Sequence, residues 1–442
     1  MARYQVPAGR LEEEFVDKHP LLTSTEAAFE AMRCLYCYDA PCIKSCPTAI
    51  DIPTFIRKIA TDNLVGAART ILSANLLGAS CARVCPVEVL CESTCVYLEQ
   101  DRRSIPIGRL QRYAVEHGAS ADILPKQSGG GGSVGLVGAG PASLACAGTL
   151  CLLGHEAVIY EKRRLPGGLN TTGVAPYKID LTGALAEVAF IESLGVRIET
   201  GVEIGDGVTA DDLLSRHDAV FLGMGLGADS KLGVPGEDGA GVFGAIDWIE
   251  RMKTEEGCSL DGVRRAVVVG GGNTALDVVR ELKGLGVEGV KLLYRRGRDQ
   301  MSGYRHELEA ALEAGVVLLE NAVVTEVIRD QGCVVGLRAA VAQDGRATSQ
   351  SMNDLPVDML VVAIGQAKLR GLVSAFEGVA LDEAGRIIAD PQSFVTGHPQ
   401  VFTGGDAYNG GKEVVNAAHD GQAAARAIDR LIRGSSEGGD GA

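Results

Sequence analysis

Eight of the twelve cysteines in this chain fall between Cys34 and Cys95, and this clustering constrains the fold more than any other feature. The first four lie in the stretch CLYCYDAPCIKSCP, with the spacing Cys-x2-Cys-x4-Cys-x3-Cys-Pro. The N-terminal sequence MARYQVPAGRLEEEF has no apolar segment behind a basic start, so we expect no signal peptide, no membrane anchor and a cytoplasmic location. In that reducing compartment, clustered cysteines indicate metal ligands rather than disulfides.

The spacing of the first four cysteines favours iron-sulfur chemistry. In bacterial ferredoxins a similar run gives three cysteines to one [4Fe-4S] cluster, and the fourth, before proline, to a second cluster. A second group, Cys81-x3-Cys85-Pro86 followed by Cys91-x3-Cys95, supplies enough thiolates for two clusters. The alternatives are structural zinc, which usually joins two short cysteine knuckles, and inert buried thiols. Counting alone assigns all eight cysteines to two [4Fe-4S] clusters.

A glycine motif follows the first apolar run after the linker QSGGGGS: Gly138-Ala139-Gly140-Pro141-Ala142-Ser143. It closes a strand and opens a helix, so its backbone can approach a pyrophosphate at the helix N-terminus. Glu161 stands where an acid binds a ribose hydroxyl. Gly168-Leu169 and the late VFTGGDA, with Asp406, suit two further contacts to FAD in a flavoprotein. The alternative is a set of glycine-rich turns such as bound any βαβ unit.

A second motif repeats this arrangement: Gly270-Gly271-Gly272-Asn273-Thr274-Ala275. Its second strand ends at Tyr294 and is followed by Arg295 and Arg296 instead of an acid. A guanidinium there suits the 2′-phosphate of NADP, so NADPH is favoured over NADH. A solvated basic turn is the alternative.

These patterns predict an α plus α/β chain, with an N-terminal helical iron-sulfur domain followed by two Rossmann-like dinucleotide-binding domains, the second inserted in the first. The expected boundaries are 1–126 for the helical domain, 127–133 for the linker, 134–229 with 368–442 for the FAD domain, and 230–367 for the NAD(P)H domain. Cys146 and Cys151 are expected to be buried core thiols rather than a redox pair. Since the cofactors carry the chemistry, we predict no catalytic side chain.

The net charge of -15 argues against a nucleic-acid or anionic-membrane partner. Small molecules and protein partners are expected instead.

The motifs together resemble a known family, the N-terminal half of dihydropyrimidine dehydrogenase and its free-standing bacterial electron-input subunit. The resemblance covers essentially the whole chain and is carried by CLYCYDAPCIKSCPTAIDIPTFI, LLGASCARVCPVEVLCESTCV, IGRLQRYA and GAGPAS. The small subunit of glutamate synthase shares the flavin and nucleotide motifs but is less similar in the cysteine segment.

The resemblance implies a ligand set that differs from the count of cysteines. The carboxamide of Gln111 replaces one thiolate, and Cys81 is left without iron. One cluster is then bound by Cys34, Cys37, Cys42 and Cys95. The other is bound by Cys46, Cys85, Cys91 and Gln111.

The resemblance also implies the dinucleotide contacts. For FAD these are Gly138, Ala139, Gly140, Pro141, Ala142, Glu161, Gly168, Leu169, Lys178, Gly405 and Asp406. For the nicotinamide nucleotide they are Gly271, Gly272, Asn273, Thr274, Arg295 and Arg296. Lys178 stands where the resemblance leads us to expect an arginine, so the charge is kept but bidentate geometry is lost. Ser302 stands where the resemblance implies a further arginine for the 2′-phosphate, which weakens the preference for NADPH.

The function implied by the resemblance is electron input. NAD(P)H is oxidised at FAD, and electrons pass through two [4Fe-4S] clusters to a separate FMN-containing barrel subunit that reduces uracil or thymine. The chain has no room for that barrel, so we expect a hetero-oligomer and no pyrimidine reduction by this chain alone. A glutamate synthase small subunit, a bifurcating NAD(P)H:ferredoxin-type subunit and a binding module that passes no electrons are the alternatives.

Overall fold

The computed structural model describes residues 4–128 and 131–437, so Gly129 and Gly130 of the predicted linker lie outside the described residues. Between residues 4 and 128 the chain forms six α-helices. They are α1 Ser24–Arg33, α2 Pro41–Lys44, α3 Ile52–Ala60, α4 Leu64–Ala74, α5 Gly78–Val84 and α6 Ile107–Gly118. Short 3-10 helices add Leu11–Glu14, Val87–Val89 and Leu98–Gln100.

The helical pattern in TFIRKIATDNLVGAARTILSA corresponds to two helices, α3 and α4. Asp62 adopts the left-handed conformation with φ 57°, and the side chain of Asn63 accepts a hydrogen bond from the N–H of Gly66. These two residues end one helix and cap the next. Phe55 and Ile71, one from each helix, are fully buried in the shared core.

Beyond residue 131 strands and helices alternate. In chain order they are β1 Ser133–Val137, α7 Pro141–Leu152, β2 Glu156–Glu161, α8 Leu169–Thr172, α9 Leu181–Ser193, β3 Arg197–Thr200, α10 Ala210–Arg216, β4 Ala219–Leu222, β5 Val242–Gly244, α11 Ala245–Thr254, β6 Arg265–Gly270, α12 Asn273–Gly284, β7 Gly289–Leu293, α13 Arg305–Glu313, β8 Val317–Leu319, β9 Ala322–Asp330, β10 Cys333–Gln343, β11 Arg346–Ser351, β12 Leu355–Pro356, β13 Met359–Ala363, α14 Arg370–Val373, β14 Val401–Thr403, α15 Asp406–Asn409 and α16 Val414–Glu437. A further 3-10 helix spans Arg298–Gln300.

The first sheet is parallel and has the order β3-β2-β1-β4-β14. The second is also parallel, with the order β8-β7-β6-β13-β5. In both, the strand before the glycine motif lies at the centre, as in dinucleotide-binding folds. The strands of the second sheet fall between β4 and β14 in sequence, which confirms the predicted fold class. The exact domain boundaries remain predictions.

Strands β9 to β12 form a separate antiparallel sheet in which β10 pairs with each of the other three. It lies within the segment that also contains the second parallel sheet. Its buried face packs on β6, β7 and β13 through Val324, Leu337 and Leu360.

In the described part of the chain, no single helix is long and apolar enough to cross a membrane. Helices α4 and α5 reach the necessary length and composition only together, and they are bent by 87° relative to each other.

Candidate redox site

A cavity of about 1100 Å³ lies at the carboxyl edge of the first sheet. The strands of this sheet run parallel, so the loops that follow β1, β2, β4 and β14 meet at one edge. Each of these loops lines the cavity. Those residues are Gly138 to Ala142, Glu161 to Arg163, Gly223 to Leu226, and Gly405 with Asp406.

Two glycines of this edge leave no room for a side chain. Gly138 has φ 85°, and a Cβ there would lie 2.8 Å from the Cα of Met224. Gly168 has φ 56°, and its Cβ would lie 2.7 Å from the Cα of Gly140. The bare backbone keeps the entrance of α7 open toward the cavity, and this arrangement fits a pyrophosphate at the N-terminus of that helix.

Two carboxylates predicted to contact FAD also lie on this cavity. Glu161 is buried, and its two oxygens accept hydrogen bonds from the N–H groups of Ala139 (2.7 Å) and Arg163 (2.8 Å). Each oxygen keeps a free lone pair for a ribose hydroxyl. Asp406 accepts a hydrogen bond from the N–H of Lys412 at 3.2 Å, and burial raises its pKa. Both positions fit a bound dinucleotide that supplies hydroxyl donors.

Lys178 lines the cavity, but its ammonium group already has partners. Its Nζ lies 2.7 Å from Asp277 and 3.1 Å from Glu307, both from the second parallel-sheet domain. The nearby carboxylates raise the pKa of Lys178 although burial opposes them. Lys178 therefore joins the two dinucleotide domains, and its predicted contact with FAD stays a prediction.

The second glycine motif reaches the same cavity at one end. Asn273 and Thr274, at the start of α12, line it together with the first motif. Gly271 lies beneath the ring of Tyr294, where a Cβ would approach the ring to 2.4 Å. The structure thus brings the two motifs together at one cavity.

Arg295 and Arg296 lie beyond Tyr294. Arg295 is exposed and Arg296 half-buried, and the guanidinium of Arg296 lies 5.8 Å from the centroid of the Tyr294 ring. Among the described residues neither forms an ion pair, whereas Arg298 donates to Glu320. The two unpaired guanidinium groups fit a phosphate ligand.

Four cysteines line a second, small and apolar cavity in the helical domain. They are Cys34, Cys37, Cys42 and Cys95. Burial raises the pKa of Cys34 and raises that of Cys42 to about 12. Thiols in such surroundings ionise when a metal centre supplies positive charge, so these residues fit a metal cluster. They are the set that the resemblance implied for one cluster.

The remaining predicted ligands lie next to this set. The hydrogen bond with Cys81 and burial raise the pKa of Cys85, and burial raises that of Cys91. The nearby Cys46 adds to the rise for both thiols. Gln111, on α6, is buried, and its Nε2 donates to the carbonyl of Gly78 at 2.8 Å. Among the described residues its Oε1 accepts no hydrogen bond. A carboxamide oxygen without a hydrogen-bond partner, on a largely buried side chain, fits a ligand role.

Cys81 is the competitor of Gln111. It lies on α5, is almost fully buried, and its Sγ accepts a hydrogen bond from Nδ2 of Asn75 at 3.2 Å. A hydrogen bond between the Cys81 and Cys85 thiols is the largest cause of the raised pKa of Cys85. Cys81 therefore has neighbours that satisfy a neutral thiol, which supports the smaller ligand set.

We expect Gln111→Ala to remove or destabilise one cluster, because the second cluster would lose its non-thiolate ligand. Cys81→Ala is the matched control and should keep all the iron. Iron and acid-labile sulfide per chain measure both. Loss of iron in the Cys81 variant with full iron in the Gln111 variant would reverse the assignment.

The zinc alternative requires a closer arrangement. A tetrahedral zinc site holds each thiolate about 2.3 Å from one ion. Within residues 4–128 and 131–437, no three His, Cys, Asp or Glu side chains converge to hold a single metal ion.

The two cysteine sets differ in their distance from the dinucleotide cavity. Cys85 and Pro86 line that cavity together with the first glycine motif, whereas the four-cysteine set lines a separate cavity. Cys146 and Cys151 lie on α7 and pack into the hydrophobic core, as expected. Among the predicted cluster ligands, Cys85 is therefore the one that lines the dinucleotide cavity.

Several residues at this site gave no signal in the sequence. Tyr304 and Glu413 line the dinucleotide cavity and are joined by a hydrogen bond of 2.6 Å.

Glu187, on α9, joins the cluster domain to the first sheet domain, because its carboxylate accepts hydrogen bonds from the N–H groups of Ala79 and Ser80. Burial raises the pKa of Glu187 to about 7. No spacing rule links residues so far apart in sequence.

Two family descriptions match the chain. Residues 11–123 match dihydropyrimidine dehydrogenase domain II, 4Fe-4S cluster. Residues 132–421 match pyridine nucleotide-disulphide oxidoreductase. The chain belongs to the pyridine nucleotide-disulphide oxidoreductase family. This member is an NAD(P)H-dependent flavoprotein oxidoreductase with an N-terminal [4Fe-4S] domain.

Curated relatives of this oxidoreductase match along nearly its full length. The NAD-dependent dihydropyrimidine dehydrogenase subunit PreT of Escherichia coli K12 is 35% identical, over 94% of this chain and 97% of its own. The glutamate synthase [NADPH] small chain of the same strain is 32% identical, over 94% of this chain and 93% of its own. The resemblance stated from the sequence is thereby confirmed.

Solved structures show the same fold for the dinucleotide part. Mycobacterium tuberculosis FprA in complex with NADPH aligns with TM-score 0.55 at 20% identity, over 70% of this chain and 86% of that one. The crystal structure of T. acidophilum thioredoxin reductase aligns with TM-score 0.55 at 21% identity, over 68% of this chain and 98% of that one.

Proposed function

We propose that this oxidoreductase oxidises NAD(P)H at FAD and passes the electrons through two [4Fe-4S] clusters to a separate FMN-containing subunit that reduces uracil or thymine. The observation that carries the proposal is the shared cavity, which is lined by the first glycine motif, by Asn273 and Thr274 of the second, and by Cys85. The nucleotide site, which donates two electrons, and the cluster site, which carries one electron at a time, therefore meet at one cavity.

The residues of the chain have binding and positioning roles in this reaction. Gly138 and Gly168 admit the pyrophosphate of FAD, while Glu161 and Asp406 hold its hydroxyl groups. When bound, FAD accepts a hydride from the nicotinamide and releases electrons singly to the clusters. The second motif brings the nicotinamide nucleotide to the same cavity, so no side-chain acid or base is required.

The partner proposal is supported by relatives and by an exposed surface. The name of PreT describes it as a dihydropyrimidine dehydrogenase subunit. Around the four-cysteine set, the apolar side chains of Phe29, Met32, Leu35 and Tyr38 are more than half exposed. Apolar groups in such a patch favour a protein partner. Their position suits an acceptor that must approach the outer cluster, which is the one proposed at Cys34, Cys37, Cys42 and Cys95. We place this hetero-oligomer in the cytoplasm.

A glutamate synthase small subunit is the second candidate. The similarity to the glutamate synthase small chain supports it, since that relative matches over almost the same length. It would use the same electron path with another acceptor subunit.

The test begins with the chain alone, purified without oxygen. NADH or NADPH should bleach the flavin absorbance, and uracil should not reoxidise it. Addition of the copurifying subunit should then permit uracil-dependent NAD(P)H oxidation. A flavin that stays oxidised with both nucleotides would refute electron input, while reoxidation only by the substrates of glutamate synthase would refute the pyrimidine assignment.

The choice of nucleotide is tested at Arg295 and Arg296. If the chain uses NADPH, replacing both by alanine should lower kcat/KM for NADPH by about 10-fold to 100-fold, because the 2′-phosphate loses charged partners, and should leave NADH within about threefold. Arg298→Ala is the matched control, since its guanidinium is already held by Glu320. Equal losses of kcat/KM for NADPH and NADH would show that Arg295 and Arg296 do not bind the 2′-phosphate.

A further inference from the structure

Tyr304 lies where three parts of the chain meet. Its backbone N–H donates to Oδ1 of Asn273 at 2.8 Å, which fixes the residue to the second glycine motif. Its phenol O–H donates to Glu413, the residue before α16 in the first sheet domain, at 2.6 Å. Tyr304 therefore links the second glycine motif to the segment before α16, and all three residues line the cavity.

The neighbours of Tyr304 connect it to the cluster domain as well. Its ring stacks on His306, with centroids 5.7 Å apart and planes 9° apart. Nε2 of His306 lies 3.7 Å from the carboxylate of Glu88, between the predicted ligands Cys85 and Cys91. The preceding Gly303 donates its N–H to the carbonyl of Gly271 at 2.8 Å, so the loop before α13 is fastened to the glycine motif.

The charge around the phenol keeps it protonated. Burial, the hydrogen bond to Glu413 and the charge of that carboxylate all raise the pKa of Tyr304. The phenol is thus a stable donor, and Glu413 has a fixed orientation. Asn273, Tyr304, Glu413 and Cys85 all line the cavity, so a ring held at Asn273 and directed toward the first motif lies beside Tyr304.

We propose that Tyr304 is a positioning residue for the nicotinamide ring, and that Glu413 sets its orientation. This inference rests on the proposed oxidation of NAD(P)H. The phenyl ring forms one wall of the place that the nicotinamide occupies, and the bond to Glu413 prevents the ring from rotating out of it. A displacement of about 1 Å in such a wall lowers the rate of hydride transfer about 100-fold.

The experiment compares Tyr304→Ala with wild type and with Glu309→Ala, a matched control on α13 whose exposed side chain pairs with Arg305. Anaerobic stopped-flow absorbance gives the limiting rate of flavin reduction, and calorimetry with NAD⁺ gives nucleotide affinity without turnover. We expect the limiting rate of Tyr304→Ala to fall about 100-fold, with NAD⁺ affinity changed by less than about threefold. The long-wavelength charge-transfer absorbance of reduced flavin with NAD⁺ should be lost.

Variants of Glu413 test the same hydrogen bond by changing its acceptor. Glu413→Gln still accepts the phenol hydrogen bond and should keep the wild-type rate, whereas Glu413→Ala should lose about 10-fold. If Tyr304→Ala does not retain FAD, the comparison of Glu413→Gln with Glu413→Ala still tests the role of Tyr304. A wild-type rate and charge-transfer band in Tyr304→Ala, or equal losses in both Glu413 variants, would overturn the inference. Failure of the wild-type flavin to bleach would instead refute the proposed function.

Discussion

Cys42→Ala is expected to remove about half of the iron from the chain and to abolish uracil reduction by the complex, with FAD content and flavin bleaching by NAD(P)H retained. Cys42 lies in the outer set with Cys34, Cys37 and Cys95, apart from the dinucleotide cavity. Cluster thiolates are not replaceable by alanine, so the outer cluster should be lost while the flavin still accepts hydride.

The control for this prediction is Cys258→Ala. Cys258 is half-buried beside the second sheet domain, far in sequence from both cysteine sets, and its replacement should change neither iron nor activity. Iron, sulfide and FAD per chain, followed by anaerobic bleaching, measure the outcome. Full iron in Cys42→Ala, or loss of bleaching with FAD still bound, would contradict the order of the path.

Gly168→Ala should yield protein without FAD but with its iron. The Cβ would lie 2.7 Å from the Cα of Gly140, so the two loops that admit the pyrophosphate must separate. With φ 56° and ψ -137°, the backbone of Gly168 lies in a region that favours glycine, which adds about 1–3 kcal/mol of strain for alanine. Absorbance of the purified protein gives the flavin to iron ratio.

Gly201→Ala separates the two causes. Gly201 also has a positive φ, 76°, but no atom lies within 4 Å of the place of its Cβ. It shares the positive φ of Gly168 without the collision and should keep FAD. Equal loss of flavin from both variants would mean that backbone strain, rather than the close approach of the loops, controls binding.

The sequence predicts well those parts of the site that follow from chain direction. Parallel strands bring their carboxyl ends to one edge, so Gly138, Glu161 and Asp406 could be expected together although Asp406 lies far along the chain. The cysteine spacing likewise indicated clusters. These features depend on local pattern and on the topology that the two glycine motifs imply.

Other features depend on packing between distant segments. The count of cysteines could not choose between Cys81 and Gln111, because the choice depends on how α5 packs against α6. The partners of Lys178 come from α12 and α13, and Tyr304 meets Glu413 across the domain boundary. No periodicity or motif records such contacts, and they become visible only when the domains are assembled.

The central claim is tested most directly by purifying the tagged chain anaerobically with the subunit that accompanies it and measuring NADH and NADPH oxidation on addition of uracil or thymine. The account predicts oxidation that depends on the pyrimidine, forms dihydropyrimidine in equal amount and stops when the accompanying FMN subunit is removed. Oxidation that responds to the substrates of glutamate synthase and not to pyrimidines would contradict it.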